Sequence, residues 1–143
     1  MANRDQIIAA ARSLKGTPFQ HQGRIPGIGL DCAGVPIAVA NICEITAAFD
    51  FRRYSHFPRP EMVRRELTNN LDPVPGGIAA ARSGDVVYLA DHGYATHMGI
   101  VAEIDGYLTL IHSSKRDGGV VESRIDEDLA RDVRGVFSFR GIE

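Results

Sequence analysis

The apolar pattern changes period at Gly84, and that change limits what the chain can become. Before it, apolar residues recur at helical spacing. Ile7, Ile8, Ala11 and Leu14 mark one face of a helix over residues 4–14, opened by an Asn3/Gln6 capping box and stopped by Gly16. After it come five short runs rich in Val, Ile, Tyr and Phe, at residues 85–90, 98–104, 107–113, 120–125 and 136–140. Asp105-Gly106 is a two-residue hairpin signal, and Asp117-Gly118-Gly119 marks a second turn. Helices first and a meander afterwards predict an α+β domain, with N-terminal helices packed on a five-stranded antiparallel sheet. With 143 residues, 44% of them hydrophobic and 24% charged, a single domain over residues 1–143 can bury its own core without staples.

Between the first helix and the strands the signals are mixed. Gly16, Gly23, Gly27 and Gly29, with Pro18 and Pro26, make residues 16–30 a loop. Residues 31–45 are apolar nearly all round and predict a buried helix, with Pro36 at its first turn or just beyond. Residues 47–82 are the least regular. A short helix over residues 60–70 is anchored there by Met62, Val63 and Leu67, and Pro73, Pro75, Gly76 and Gly77 end it in a loop.

Charge and cysteine use narrow the setting. The net charge of −2 and the lack of a Lys/Arg cluster point away from nucleic acid, and no apolar stretch reaches membrane-spanning length. Cys32 and Cys43 in one helical run would lie roughly 16 Å apart, too far to pair. Two free thiols and a polar N-terminus without a secretory apolar region predict synthesis in the cytoplasm.

Three residues have the types and positions of a nucleophilic site. Cys32 stands at the start of the buried helix, where unfilled backbone N–H groups favour an anion, so its thiol pKa is expected to be lowered. His97 opens one strand of the Asp105-Gly106 hairpin and His112 closes the other. A two-residue turn pairs residue 97 with about residue 114, which puts His112 next to it on the same face. That is the layout of a nucleophile, its base, and the group that orients the base. Asp31 beside the thiol would raise its pKa, so its expected role is a structural cap on the N–H groups two or three residues on. Gly99 is expected to let a facing helix approach. Cys32, His97 and His112 are zinc-type ligands as well, but their wide separation points away from a metal, and no cofactor is expected. Cys43 is expected to pack in the core, and His56 and His92, read as loop residues, are given no role.

Gly16-Thr17-Pro18-Phe19, Leu30-Asp31-Cys32-Ala33-Gly34, Gly84-Asp85-Val86-Val87, His97-Met98-Gly99-Ile100 and Ile111-His112-Ser113 follow one another in order along most of the chain. In this the sequence resembles an NlpC-type cell-wall cysteine peptidase. The His21-Gln22 pair resembles the branch encoded in phage and gene-transfer-agent tail modules. The resemblance implies a papain-like fold, with Cys32, His97 and His112 as catalytic residues. It implies a peptidoglycan stem peptide as substrate, cut at the γ-D-glutamyl–diaminopimelate amide. It also implies phage-tail proteins as partners and delivery to the wall by a phage-like particle. Two positions depart from the pattern. Phe19 stands where relatives have a Tyr whose hydroxyl helps hold the oxyanion, and Ala33 replaces a common Ser but keeps its backbone N–H. His21 either supplies the missing donor or ties down the loop. Arg52, Arg53, Arg64 and Arg65 either meet a stem-peptide carboxylate or form a solvated face. Two rival readings remain open: a catalytically silent tail-tip component, and a papain-like amidase or acyltransferase acting on another amide.

Overall fold

The computed structural model describes residues 2–45, 50–51, 54–55, 58–91 and 94–142. His56, His92, Arg52 and Arg53 lie outside them. Helix α1 is Arg4–Ser13, and its capping box is formed as read: Asn3 Oδ1 accepts from the Gln6 N–H at 2.9 Å and Gln6 Oε1 from the Asn3 N–H at 2.9 Å. A small hairpin follows, β1 (Arg24–Ile25) against β2 (Gly29–Leu30), inside the segment read as loop. Helix α2 is Gly34–Ile42, shorter at both ends than residues 31–45. Pro36 explains the late start. It sits in the first turn, where its missing N–H breaks no helical hydrogen bond, and a start at residue 31 would place it deeper. Glu44, with φ of +52°, ends the run. Helix α3, Pro60–Asn70, begins on its proline and buries Val63 and Leu67.

Among the described residues the main sheet has six strands, not the five expected. They are β3 (Asp72–Pro73), β4 (Val86–Asp91), β5 (Tyr94–Ile104), β6 (Tyr107–Ser114), β7 (Gly119–Arg124) and β8 (Val133–Ser138), in the order β3-β8-β4-β5-β6-β7. The extra strand is a two-residue edge ending in Pro73, a length and composition that give no periodic signal. A short helix α4, Glu127–Asp132, capped by Asp126, also escaped the pattern. The central hairpin has the register the turn dictates, from Ile104↔Tyr107 to Ile100↔Ile111.

Strand alternation sorts the core onto two faces. Val86, Ile100, Ala102 and Ile111 pack with Ile7, Ala11, Val35, Val39 and Leu67 of the three long helices. Val87, Leu89, Val101, Leu110 and Val136 form the other cluster, with Ile78 from a 3₁₀ turn at Gly77–Ala80 and Leu129 of α4 packed against it. Among the described residues no helix is long and apolar enough to cross a membrane.

Candidate active site

The segment before α2 is held from two sides. Its loop is stitched to the start of β7: the Phe19 N–H donates to Gly118 O at 2.9 Å, Gly16 N–H to Val120 O at 3.0 Å and Val120 N–H to Thr17 O at 2.9 Å. Gly119 makes this approach possible, since a Cβ there would lie 2.3 Å from Thr17 O. Ser113 Oγ of β6 donates to Leu30 O at 2.6 Å, only two residues before Cys32. Gly34 leaves room for the loop backbone as well, because its Cβ would fall 2.5 Å from Gly23 O.

Asp31 is the buried centre of this region. Oδ1 accepts from the Gly34 N–H at 2.9 Å, which caps α2, and from Arg24 Nη1 at 2.9 Å. Oδ2 accepts from the Gln22 N–H at 2.8 Å and from the Tyr54 hydroxyl. Arg24 is nearly buried and uses all of its donors. Nε meets Asp50 at 2.9 Å, Nη1 meets Asp31 and Gly23 O, and Nη2 meets Phe51 O at 2.7 Å and Tyr54 Oη at 2.9 Å. The Gln22 amide donates to Tyr54 O at 2.8 Å. Thus the run Gln22-Gly23-Arg24 clamps the irregular segment around Tyr54 onto the helix start. Neither Arg24 nor Tyr54 stands out in the sequence, because their contacts join segments with no period.

Cys32 is half-buried in the turn between Asp31 and α2. The backbone N–H groups of Met98 and Ala33 act on its thiol in favour of the charged form, and Met98 is the strand position next to His97. His97 Nε2 and His112 Nδ1 are 2.7 Å apart, their rings nearly perpendicular. On its far side His112 Nε2 lies 3.2 Å from Ser123 Oγ of β7, a residue with no motif around it in the sequence. Gly99 serves this pair rather than a helix: a Cβ there would meet Leu110 Cδ1 at 2.7 Å, Ile111 O at 2.8 Å and His112 Cβ at 3.0 Å, all on β6.

Cys32, His97, His112, His21, Phe19 and Tyr54 line one cleft of about 880 Å³. His21 stands edge-on to Tyr54, with ring centres 5.5 Å apart. Ala33, the residue after Cys32, is buried in the core. Arg64 and Arg65 are exposed on α3 and do not line the cleft. Cys43 caps the other end of α2, where burial pushes its thiol up. Among the described residues no three His, Cys, Asp or Glu are placed to hold a metal ion.

The electrostatics overturn one expectation. Burial, then the charge of Asp31, push the Cys32 thiol up to about 12, outweighing the N–H groups of Met98 and Ala33 and the charge of Arg24. Burial also brings the His97 imidazole down to about 4. A helix start does favour a thiolate, but here the thiol is partly withdrawn from water and shares its turn with a carboxylate. The resting pair is therefore a neutral thiol and a neutral imidazole. Such a pair can pass a proton from sulfur to nitrogen as the sulfur attacks a substrate.

No family model matches the chain, and no curated protein matches it in sequence. Solved structures do resemble it. The NlpC/p60 domain of the peptidoglycan hydrolase SagA is 20% identical at a TM-score of 0.67, covering 96% of this chain and 100% of that one. An NlpC/p60 family protein from Bacillus cereus ATCC 10987 is 20% identical at a TM-score of 0.67, over 95% of this chain and 40% of its own length. NlpC1 from Trichomonas vaginalis is 16% identical at a TM-score of 0.67, over 97% and 45%. The chain thus spans all of the first and less than half of the other two. At these identities the likeness establishes the fold: a mixed α/β domain of the NlpC/p60 kind.

Proposed function

We propose that the chain is a cysteine peptidase or amidase that cleaves peptidoglycan stem peptides. One observation carries this reading. The 2.7 Å contact between His97 Nε2 and His112 Nδ1 lies in the cleft that the Cys32 thiol also lines. The peptidoglycan substrate draws its support from the motif order in the sequence and from the likeness to a domain of a peptidoglycan hydrolase. In the proposed reaction the Cys32 sulfur attacks the amide carbonyl as its proton passes to His97. The Cys32 backbone N–H and one further donor hold the oxyanion, for which His21 in the same cleft is the candidate. Protonated His97 then gives its proton to the leaving amine, and water releases the acyl group. The bond proposed is the γ-D-glutamyl–diaminopimelate amide, and the proposed setting a phage-like tail that carries the domain to the wall.

Digestion of purified muropeptides, read by mass spectrometry, tests the reading. Products that differ by one hydrolysed stem-peptide amide are expected with the wild type and absent with Cys32→Ala. Intact muropeptides in both would favour the silent tail-component or other-amide alternatives.

A further inference from the structure

His112 has both ring nitrogens engaged: Nδ1 toward His97 Nε2 at 2.7 Å and Nε2 toward Ser123 Oγ at 3.2 Å. Neighbouring strands bring the serine there. His112 pairs with Val121 and Leu110 with Ser123, so Ser123 is the diagonal neighbour of His112 on the same sheet face. It lines the cleft beside both histidines.

The protons along this line can be assigned by requiring that His97 act as a base. Its Nε2 is taken by His112, so Nδ1 is the nitrogen left to receive the thiol proton. Nδ1 must then be bare in the resting state and the ring proton must sit on Nε2, which donates to His112 Nδ1. A neutral His112 that accepts at Nδ1 carries its own proton on Nε2, and that N–H needs an acceptor. The opposite polarity would put a proton on His97 Nδ1 and disable it. After proton transfer the demand is unchanged, because imidazolium His97 still donates through Nε2.

We infer that Ser123 is a positioning residue of this site: its hydroxyl oxygen accepts from His112 Nε2–H and so selects the tautomers that leave His97 Nδ1 free to take the thiol proton. The inference rests on the proposed catalytic roles of Cys32 and His97. It extends a three-residue line to a fourth member on the edge strand β7. Threonine preserves the function, and alanine removes it without disturbing the strand.

Nitrogen-15 spectra of the histidine rings, recorded near neutral pH on wild type, Ser123→Ala and Ser123→Thr, test it together with two rates. These are alkylation of Cys32 by iodoacetamide and hydrolysis of one defined muropeptide. The wild type is expected to show protonated Nε2 and bare Nδ1 on both His97 and His112. In Ser123→Ala, His112 becomes a mixture of tautomers. Both alkylation and kcat fall about fivefold, the factor for one hydrogen bond of ordinary strength, with KM unchanged. Ser123→Thr restores both. A wild-type His112 protonated on Nδ1 overturns the inference. So does a Ser123→Ala protein with unchanged spectra and alkylation, whether or not muropeptides are cut. If the spectra and alkylation respond while no muropeptide is cleaved, the inference stands and the proposed substrate fails.

Discussion

Arg24 is the residue on which the site's charge balance turns. Every N–H of its guanidinium has a partner, and its partner Asp31 is almost wholly buried next to the thiol. A lysine could not hold Asp31, Asp50, Phe51 O and Tyr54 Oη at once. Arg24→Met should therefore destabilise the fold by about 3 kcal/mol, since it leaves a buried carboxylate uncompensated. Adding Asp31→Asn should recover part of that loss. Urea unfolding of the two variants measures it, and equal midpoints for wild type and Arg24→Met would contradict the clamp. At this scale the sequence was legible where chemistry has a name. Cys32, His97 and His112 carry motif context, whereas Arg24, Tyr54 and Ser123 are ordinary residues given meaning only by contacts between distant segments. The lowered thiol pKa expected for Cys32 failed for the same reason, because burial cannot be read from a helix start alone.

At the scale of elements, turns and periods carried the information. Asp105-Gly106 fixed the register of β5 and β6, and with it the shared face of His97 and His112. Asn3 and Gln6 fixed the start of α1. Elements too short for a period stayed hidden: β1, β2 and β3 have two residues each, and α4 has six. The stitch between the residue 16–30 loop and β7 was equally silent, although Gly119 marks it. Gly119→Ala would push a methyl into Thr17 O, 2.3 Å away, and must part the loop from β7. A loss of about 2 kcal/mol is expected, within the range for overpacking a tight contact. Hydrogen exchange at the Val120 amide, which is bonded to Thr17 O, should speed up in step. Unchanged exchange there would contradict the stitch.

For the whole molecule, Glu122 and His97, both partly buried, shape the response to acid. Burial raises the Glu122 carboxyl, but hydrogen bonds from Arg12, Lys15 and Thr109 outweigh it and bring it to about 2. Its folded pKa lies below the unfolded value, so its stabilisation is present above about 4.5 and is lost as pH falls toward 2. His97, at about 4 folded against 6.5 unfolded, also binds its proton more readily in the unfolded chain. Its contribution is lost as pH falls from 6.5 toward 4. Stability should thus decline with acid in two overlapping steps. Glu122→Gln should remove the lower one and His97→Asn the upper, as followed by thermal melts across pH. A melt insensitive to pH between 6.5 and 2 would contradict both assignments.

The proposed chemistry depends most on a neutral Cys32 thiol that gives its proton to a neutral His97. The pH dependence of Cys32 alkylation by iodoacetamide, in a Cys43→Ser background with and without His97→Ala, addresses this without a substrate. With His97 present the rate should hold level through neutral pH and fall as the imidazole takes a proton, near pH 4. Without it the reaction needs free thiolate, so the rate should climb with pH toward the thiol's own value of about 12 and be far slower at pH 7. Superimposable profiles for the two proteins would show that His97 does not serve the thiol, and the nucleophile–base assignment would fall.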